Sequence, residues 1–99
     1  MTNLYDFTPP DLDSETFQSL LNHKNVTIKT IVSNTLKTAQ IFEQDCDEWV
    51  VVLQGCAKIE MQGRVYKLTK GDTLFIPSQT KHTLVKTKKI VIWLAIYIK

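Results

Sequence analysis

Two punctuated apolar segments constrain this chain most. The first, Glu48-Trp49-Val50-Val51-Val52-Leu53-Gln54-Gly55, is a β-prone run that ends in glycine. The second enters through Gly71-Asp72, continues as Thr73-Leu74-Phe75-Ile76, stops at Pro77 and is followed five residues later by His82. Glycine and proline interrupt strand pairing, so both segments read as short strands with their turns built in. A strand ending in glycine, then a Gly-Asp turn into a strand capped by proline, is a way for a small β-barrel to shape a pocket. Glu48 and His82, two side chains able to bind a metal, fall at matching places in that pattern.

Around these segments the texture is that of strands. Val26–Val32 alternates loosely toward a turn at Ser33-Asn34, and residues 36–42 form a further apolar stretch ahead of an acidic patch over 43–48. Strands are then expected at Trp49–Leu53, Cys56–Met61, Val65–Leu68, Thr73–Ile76, Thr83–Lys86 and Ile90–Ile98, with a Gln62-Gly63 turn. Short strands at this spacing argue for an all-β sandwich or barrel. Only the N-terminal part differs. Asp13 or Ser14 can cap a helix running to about Asn22, and Phe17, Leu20 and Leu21 recur at helical spacing. His23 then suits the negative end of that helix. Residues 1–24 are therefore expected to be an extension with one short helix, and residues 25–99 the barrel, within one structural domain of 99 residues.

Alternate side chains of a barrel strand point inward. If Glu48 does so, Val50 and Val52 do too, as can Gln44 and Cys46 before them, while Trp49, Val51 and Leu53 face the other way. A carboxylate and an imidazole converging in an apolar cavity can share a divalent metal, act as an acid/base pair, or form a structural pair.

The charge balance narrows the partners. The net charge is only +2, and no basic stripe carries stacking aromatics, so nothing points to nucleic acid. Acidic residues gather before Trp49 and basic ones after it, including Lys86-Thr87-Lys88-Lys89, which reads as a solvated hairpin tip. The longest apolar run, Ile90–Ile98, is about half of a membrane span. Met1–Asp6 has neither the basic start nor the apolar core of a secretion signal. Cys46 and Cys56 are too few for a disulfide scaffold, so a cytoplasmic protein with reduced thiols is expected.

Over residues 36–98 the pattern resembles the cupin superfamily in its small, single-domain bacterial form, whose fold is a double-stranded β-helix or jelly-roll barrel. The first cupin motif ends in Glu and, after six residues, Gly, which Glu48 and Gly55 match. The second is matched at Gly71, Pro77 and His82. The first motif's two histidines would fall at 42 and 44, where this chain has Phe42 and Gln44. The second motif's inner glycine and final asparagine are replaced by Gln79 and Lys86. Of the four metal ligands usual in cupins, the resemblance carries over only Glu48 and His82. The amide oxygen of Gln44 is a weaker substitute, giving a candidate metal site of Gln44, Glu48 and His82, with Cys46, Asp45 and Asp47 nearby.

The expected protein is thus a small cupin barrel whose pocket takes a small molecule or one divalent metal (iron, zinc, nickel or manganese), with a metal-free barrel equally open. The alternative is a metal-dependent small-molecule enzyme of oxygenase, isomerase or lyase type, with catalytic residues unassigned. A homodimer is expected, since the Ile90–Ile98 run and an outward Trp49 or Trp93 offer surface to bury and open strand edges need covering. Neither nucleic acid nor a membrane is expected as a partner.

Overall fold

A computed structural model describes residues 2–99 as an all-β molecule of seven strands: β1 (Ser14–His23), β2 (Val26–Asn34), β3 (Gln40–Phe42), β4 (Asp47–Met61), β5 (Arg64–Leu68), β6 (Thr73–Ile76) and β7 (His82–Ile98). Two long antiparallel strands organise it. β4 and β7 pair from Asp47 opposite Ile98 to Met61 opposite His82. One end of this ladder carries β2, with β1 outside it, and β6; the other carries β3 and β5.

The ladder loses register between Val52 and Cys56, where β4 passes the Lys88–Ile92 stretch of β7. Gly55 (φ 93°) and Lys89 (φ 57°) both adopt left-handed backbone there. A Cβ on Gly55 would lie 2.5 Å from the Ile90 carbonyl oxygen, so only glycine lets the strands pass this closely. The bulges bend the sheet back on itself. Ile31, Leu36, Val50, Val52, Ile59, Met61, Leu68, Ile76, Leu84, Val91 and Trp93 fill the space between the two halves. Gly71 also earns its motif position: with φ 88° its N–H donates to the Val52 carbonyl at 2.7 Å, tying the turn before β6 to β4.

The expected N-terminal helix is instead strand β1, paired with β2 through a Lys24-Asn25 hairpin turn in which Lys24 takes φ 55°. A helix would have needed a surface on which to bury Phe17, Leu20 and Leu21. The hairpin satisfies the backbone without one and leaves Phe17 53% exposed. Asp13 does not cap its own segment. Its carboxylate accepts from the N–H groups of Lys37 and Thr38 and from the Thr38 hydroxyl, pinning a distant loop. His23 sits exposed at the hairpin turn. Three other expectations also change. Residues 33–34 belong to β2 and do not form a turn, only Gln40–Phe42 of the 36–42 stretch is a strand, and Lys86–Lys89 lies within β7 and not at a hairpin tip. The bulges explain the last point, because a positive-φ residue inside a long strand reads in sequence as a turn. Trp93 is turned inward and only 4% exposed, so it offers no outer surface.

Candidate functional site

Strand alternation places the site. On β4, Glu48, Val50 and Val52 are buried while Trp49, Val51 and Leu53 are partly exposed, which is the expected parity. On β7, Trp93 and Tyr97 share one face, and β2 contributes Ile31. These side chains close on a mainly apolar cavity of about 60 Å³, large enough for more than one water-sized group. Gln44, Glu48 and His82 all line it. Cys46 does not. It borders a wider outer hollow of about 490 Å³ with Thr27, Lys29 and Lys99, and that hollow shares Phe17, Phe42, Gln44 and Tyr97 with the inner cavity. The Lys29 ammonium stands 5.3 Å from the Tyr97 ring centroid at this mouth.

Glu48 is the central group, with only 5% of its surface exposed. Its carboxylate accepts a hydrogen bond from the Gln44 amide, and the Tyr97 hydroxyl lies close by. Burial pushes its pKa up from the ordinary value, opposed by the Gln44 hydrogen bond, the nearby His82 and the Tyr97 hydroxyl. Tyr97 is pushed far up, first by burial and then by the Glu48 charge, so it remains a neutral donor. The His82 ring lies 3.2 Å through Nδ1 from the Thr80 carbonyl. A carbonyl only accepts, so Nδ1 carries a proton and donates to it, which fixes the orientation of the ring. Phe42, directly opposite His82 in the β3–β7 ladder, stacks on the imidazole at 5.7 Å between centroids and 23° between planes.

The cavity has a second acid that the sequence pattern does not reveal. Glu15 lines it from β1, and burial raises its pKa despite a hydrogen bond from Ser33. The Ser33 hydroxyl donates to Glu15 Oε2 at 2.5 Å and accepts from Trp93 Nε1 at 3.1 Å, forming a Trp93–Ser33–Glu15 relay along one wall. Tyr97 was recoverable from strand parity, being two residues beyond Ala95 and four beyond Trp93. Glu15 was not, because its segment carried a helical pattern.

The donor set does not suit the metal centre usual in this fold. Among the described residues no group of three or more His, Cys, Asp or Glu side chains is placed to hold a metal ion. Gln44 directs its amide N–H, not its oxygen, at Glu48, so the two act as donor and acceptor and not as co-ligands. Phe42 stands at one of the motif's histidine positions and stacks on the His82 imidazole, so it supplies no ligand. Cys46 is buried, and burial together with Asp45 raises its thiol pKa, which opposes the thiolate a metal needs. Asp45 is exposed, and Asp47 accepts from the Ser78 N–H at 2.9 Å.

Comparison with known proteins agrees with the barrel fold. Residues 33–97 match the family model described as Cupin domain. A solved structure from Ralstonia eutropha JMP134, provisionally described as a mannose-6-phosphate isomerase, is 31% identical, with a TM-score of 0.88 over 100% of this chain and 97% of that one. A cupin superfamily protein of Desulfitobacterium hafniense DCB-2 is 19% identical, with a TM-score of 0.77 over 92% of this chain and 83% of its own. A conserved Streptococcus pyogenes protein of unknown function is 20% identical, with a TM-score of 0.73 over 90% and 77%. These last two likenesses concern the fold alone. No curated protein sequence matches the chain.

Proposed function

The chain belongs to the cupin family, and from that premise we propose that its barrel binds a small, uncharged, hydroxyl- or carbonyl-bearing molecule without a metal. One observation carries this reading: the side chains at the metal positions are engaged with each other. Glu48 is held by Gln44, and His82 is oriented by Thr80 and stacked on Phe42. What remains for a ligand is the Nε2 of His82, a carboxyl at Glu48 that protonates readily, and an apolar wall.

Metal analysis tests the metal-free part. After loading with iron, zinc, nickel or manganese and desalting, elemental mass spectrometry should find well under one metal per chain, and chelator should leave the unfolding midpoint unchanged. Near-stoichiometric metal that disappears in His82→Ala would overturn the proposal. For the ligand, Trp93 fluorescence should respond saturably to a member of a panel of three- to six-carbon polyols and hydroxyketones. A response that survives in His82→Ala, or none across the panel, would count against the pocket as the binding site.

A second reading is favoured by the two carboxyl groups, Glu15 and Glu48, both with pKa values raised by burial in one cavity beside the His82 imidazole. Such a set suits metal-free proton transfer in an α-hydroxycarbonyl compound. One carboxylate takes the proton from the carbon next to the carbonyl and returns it to the former carbonyl carbon, while a second group moves the hydroxyl proton to oxygen. The name of the Ralstonia relative supports trying sugar phosphates first. Chelator-treated protein incubated with mannose 6-phosphate in heavy water would incorporate solvent deuterium if this reading holds, and Glu48→Gln would abolish it. No incorporation above buffer would leave the binding reading alone.

We further propose a cytoplasmic location, supported by the free thiols of Cys46 and Cys56. A homodimer is supported by Phe75, 52% exposed and directly opposite Trp49 on the outer face of β6 and β4. Light scattering at micromolar concentration would show a monomer mass if the dimer is wrong. No helix among the described residues is long and apolar enough to cross a membrane.

A further inference from the structure

The outer face of the barrel holds a charge arrangement that the central pocket does not use. Lys58 on β4 stands directly opposite Lys67 on β5 and directly opposite Lys86 on β7. Three lysines therefore occupy one row across three adjacent strands, each about 4.8 Å from the next. Lys88 joins the same face two residues beyond Lys86, opposite Cys56. The intervening residues Ala57, Leu68 and Thr87 are buried on the other side, so alternation sends all four ammonium groups outward.

Like charges directly opposite on a sheet are destabilising. This row has little local compensation. Glu60, two residues beyond Lys58 and exposed, is the acid on the same strand face, and it stands opposite the uncharged Val65 and Thr83. Lys86, Lys67 and Lys88 together hold the Lys58 pKa below its ordinary value. The surface between them is concave, a groove of about 310 Å³ bordered also by Cys56, Leu68 and Thr69.

We propose that this groove binds a small, multiply charged phosphate anion. A compact dianion or trianion neutralises several ammonium groups at once, and lysine serves phosphate well as a point charge. The shape argues against a polymer. The basic row is confined to three strands and ends at Glu60, and no aromatic side chain borders the groove for bases to stack on. The site lies outside the cavity of Glu48 and His82 and does not depend on how that cavity functions.

Cys56 provides a built-in reporter, being the exposed cysteine in the groove while Cys46 is buried. An anion seated there would shield the thiol from an alkylating reagent. Alkylation of Cys56 by iodoacetamide, followed by peptide mass spectrometry, should be slowed severalfold and saturably by pyrophosphate. Potassium chloride at matched ionic strength should not do this, and the protection should vanish in Lys58→Gln/Lys86→Gln, whose folding is checked by circular dichroism. Fructose 1,6-bisphosphate run in parallel separates the sources: stronger protection by it assigns the site to phosphorylated metabolites, and stronger protection by pyrophosphate to inorganic polyphosphate. Equal protection by chloride, or protection that persists in the double variant, would overturn the proposal. So would protection by a short oligonucleotide where neither small phosphate protects, which would make the groove a nucleic-acid contact.

Discussion

Replacing Ser33 by alanine is the sharpest test of how the pocket wall is built. Its hydroxyl is fully buried, donates to Glu15 Oε2 at 2.5 Å and accepts from Trp93 Nε1 at 3.1 Å. Alanine leaves a buried indole N–H without an acceptor, which costs about 1–3 kcal/mol. It also removes a hydrogen bond to a carboxylate, nominally about 1.5–3 kcal/mol, which we discount to about 1 because Glu15 is only partly buried. Ser33→Ala should therefore destabilise the protein by about 2–4 kcal/mol, above the common cost of a point change. The loss should depend on pH. Burial already raises the Glu15 pKa, and the Ser33 hydroxyl is what opposes that rise. Without it the folded-state value moves higher still. The unfolded chain then releases the Glu15 proton before the folded one over a wider range, and stability falls further as pH increases. Urea denaturation followed by tryptophan fluorescence at pH 4 and pH 8 measures both effects, with the larger loss expected at pH 8. A loss below about 1 kcal/mol, or one equal at the two pH values, would refute the relay.

Glu48→Gln keeps the shape of the carboxyl and removes its charge. Since burial raises the Glu48 pKa, the wild type should lose stability as pH rises from the ordinary carboxyl range through the folded value. The variant should escape that loss and gain on wild type at pH 8 but not at pH 4, as read from urea midpoints; a larger deficit at pH 8 would contradict it. Gly63→Ala, where φ is 77° and a Cβ meets nothing within 4 Å, should cost about 1–2 kcal/mol of backbone strain. Gly55→Ala adds a 2.5 Å clash with a backbone oxygen, so its midpoint should fall well below that of Gly63→Ala; equal midpoints would mean the strand crossing is soft. Asp13 is held below its ordinary pKa by the N–H groups of Lys37 and Thr38, so its anchoring is complete above that range and lost as pH falls through the lowered value. Asp13→Ala should speed amide exchange at Lys37 and Thr38 near neutral pH, and unchanged rates would show that the anchor is idle.

What the sequence disclosed follows from which residues have few conformational options. Gly55 and Gly71 stand where left-handed backbone is required, and at Gly55 a close approach leaves no room for a side chain. Their spacing therefore marks the strand crossing and the β6 turn in the sequence itself. The alternation of Glu48, Val50 and Val52 was equally legible, because a strand has only two faces. The N-terminal segment misled for a related reason. Phe17 and Leu21, four apart, share a face in a helix and, without the bulge after Ser19, would share one in a strand as well. The two long strands were read as four short ones because Gly55 and Lys89 carry the signature of turns while serving as bulges. Glu15 disappeared with the mistaken helix. It reaches the cavity only because the hairpin lays β1 beside β2, a long-range fact that local pattern does not contain.

The two departures from the first motif act together. A carboxylate buried as deeply as Glu48 must be neutralised by a cation, stabilised by hydrogen bonds, or protonated. Where a metal supplies the cation, neighbouring histidines hold it. In this barrel Phe42 occupies one of those positions and turns its ring onto His82, while Gln44 occupies the other and donates to Glu48. Tyr97, arriving from the far end of β7, brings its hydroxyl near the same carboxylate. The Gln44 amide takes over part of the electrostatic work of a metal at Glu48, and neither Phe42 nor Gln44 supplies the imidazole ligand that a histidine there would. Restoring histidine at position 44 alone would remove a donor from Glu48 and leave Phe42 stacked on His82, so it would destabilise the site without rebuilding a metal centre. The same substitutions leave the cavity with groups that exchange protons and hydrogen bonds. On the reading proposed above, that suits recognition or proton transfer on a small molecule, with the apolar wall and His82 setting the specificity.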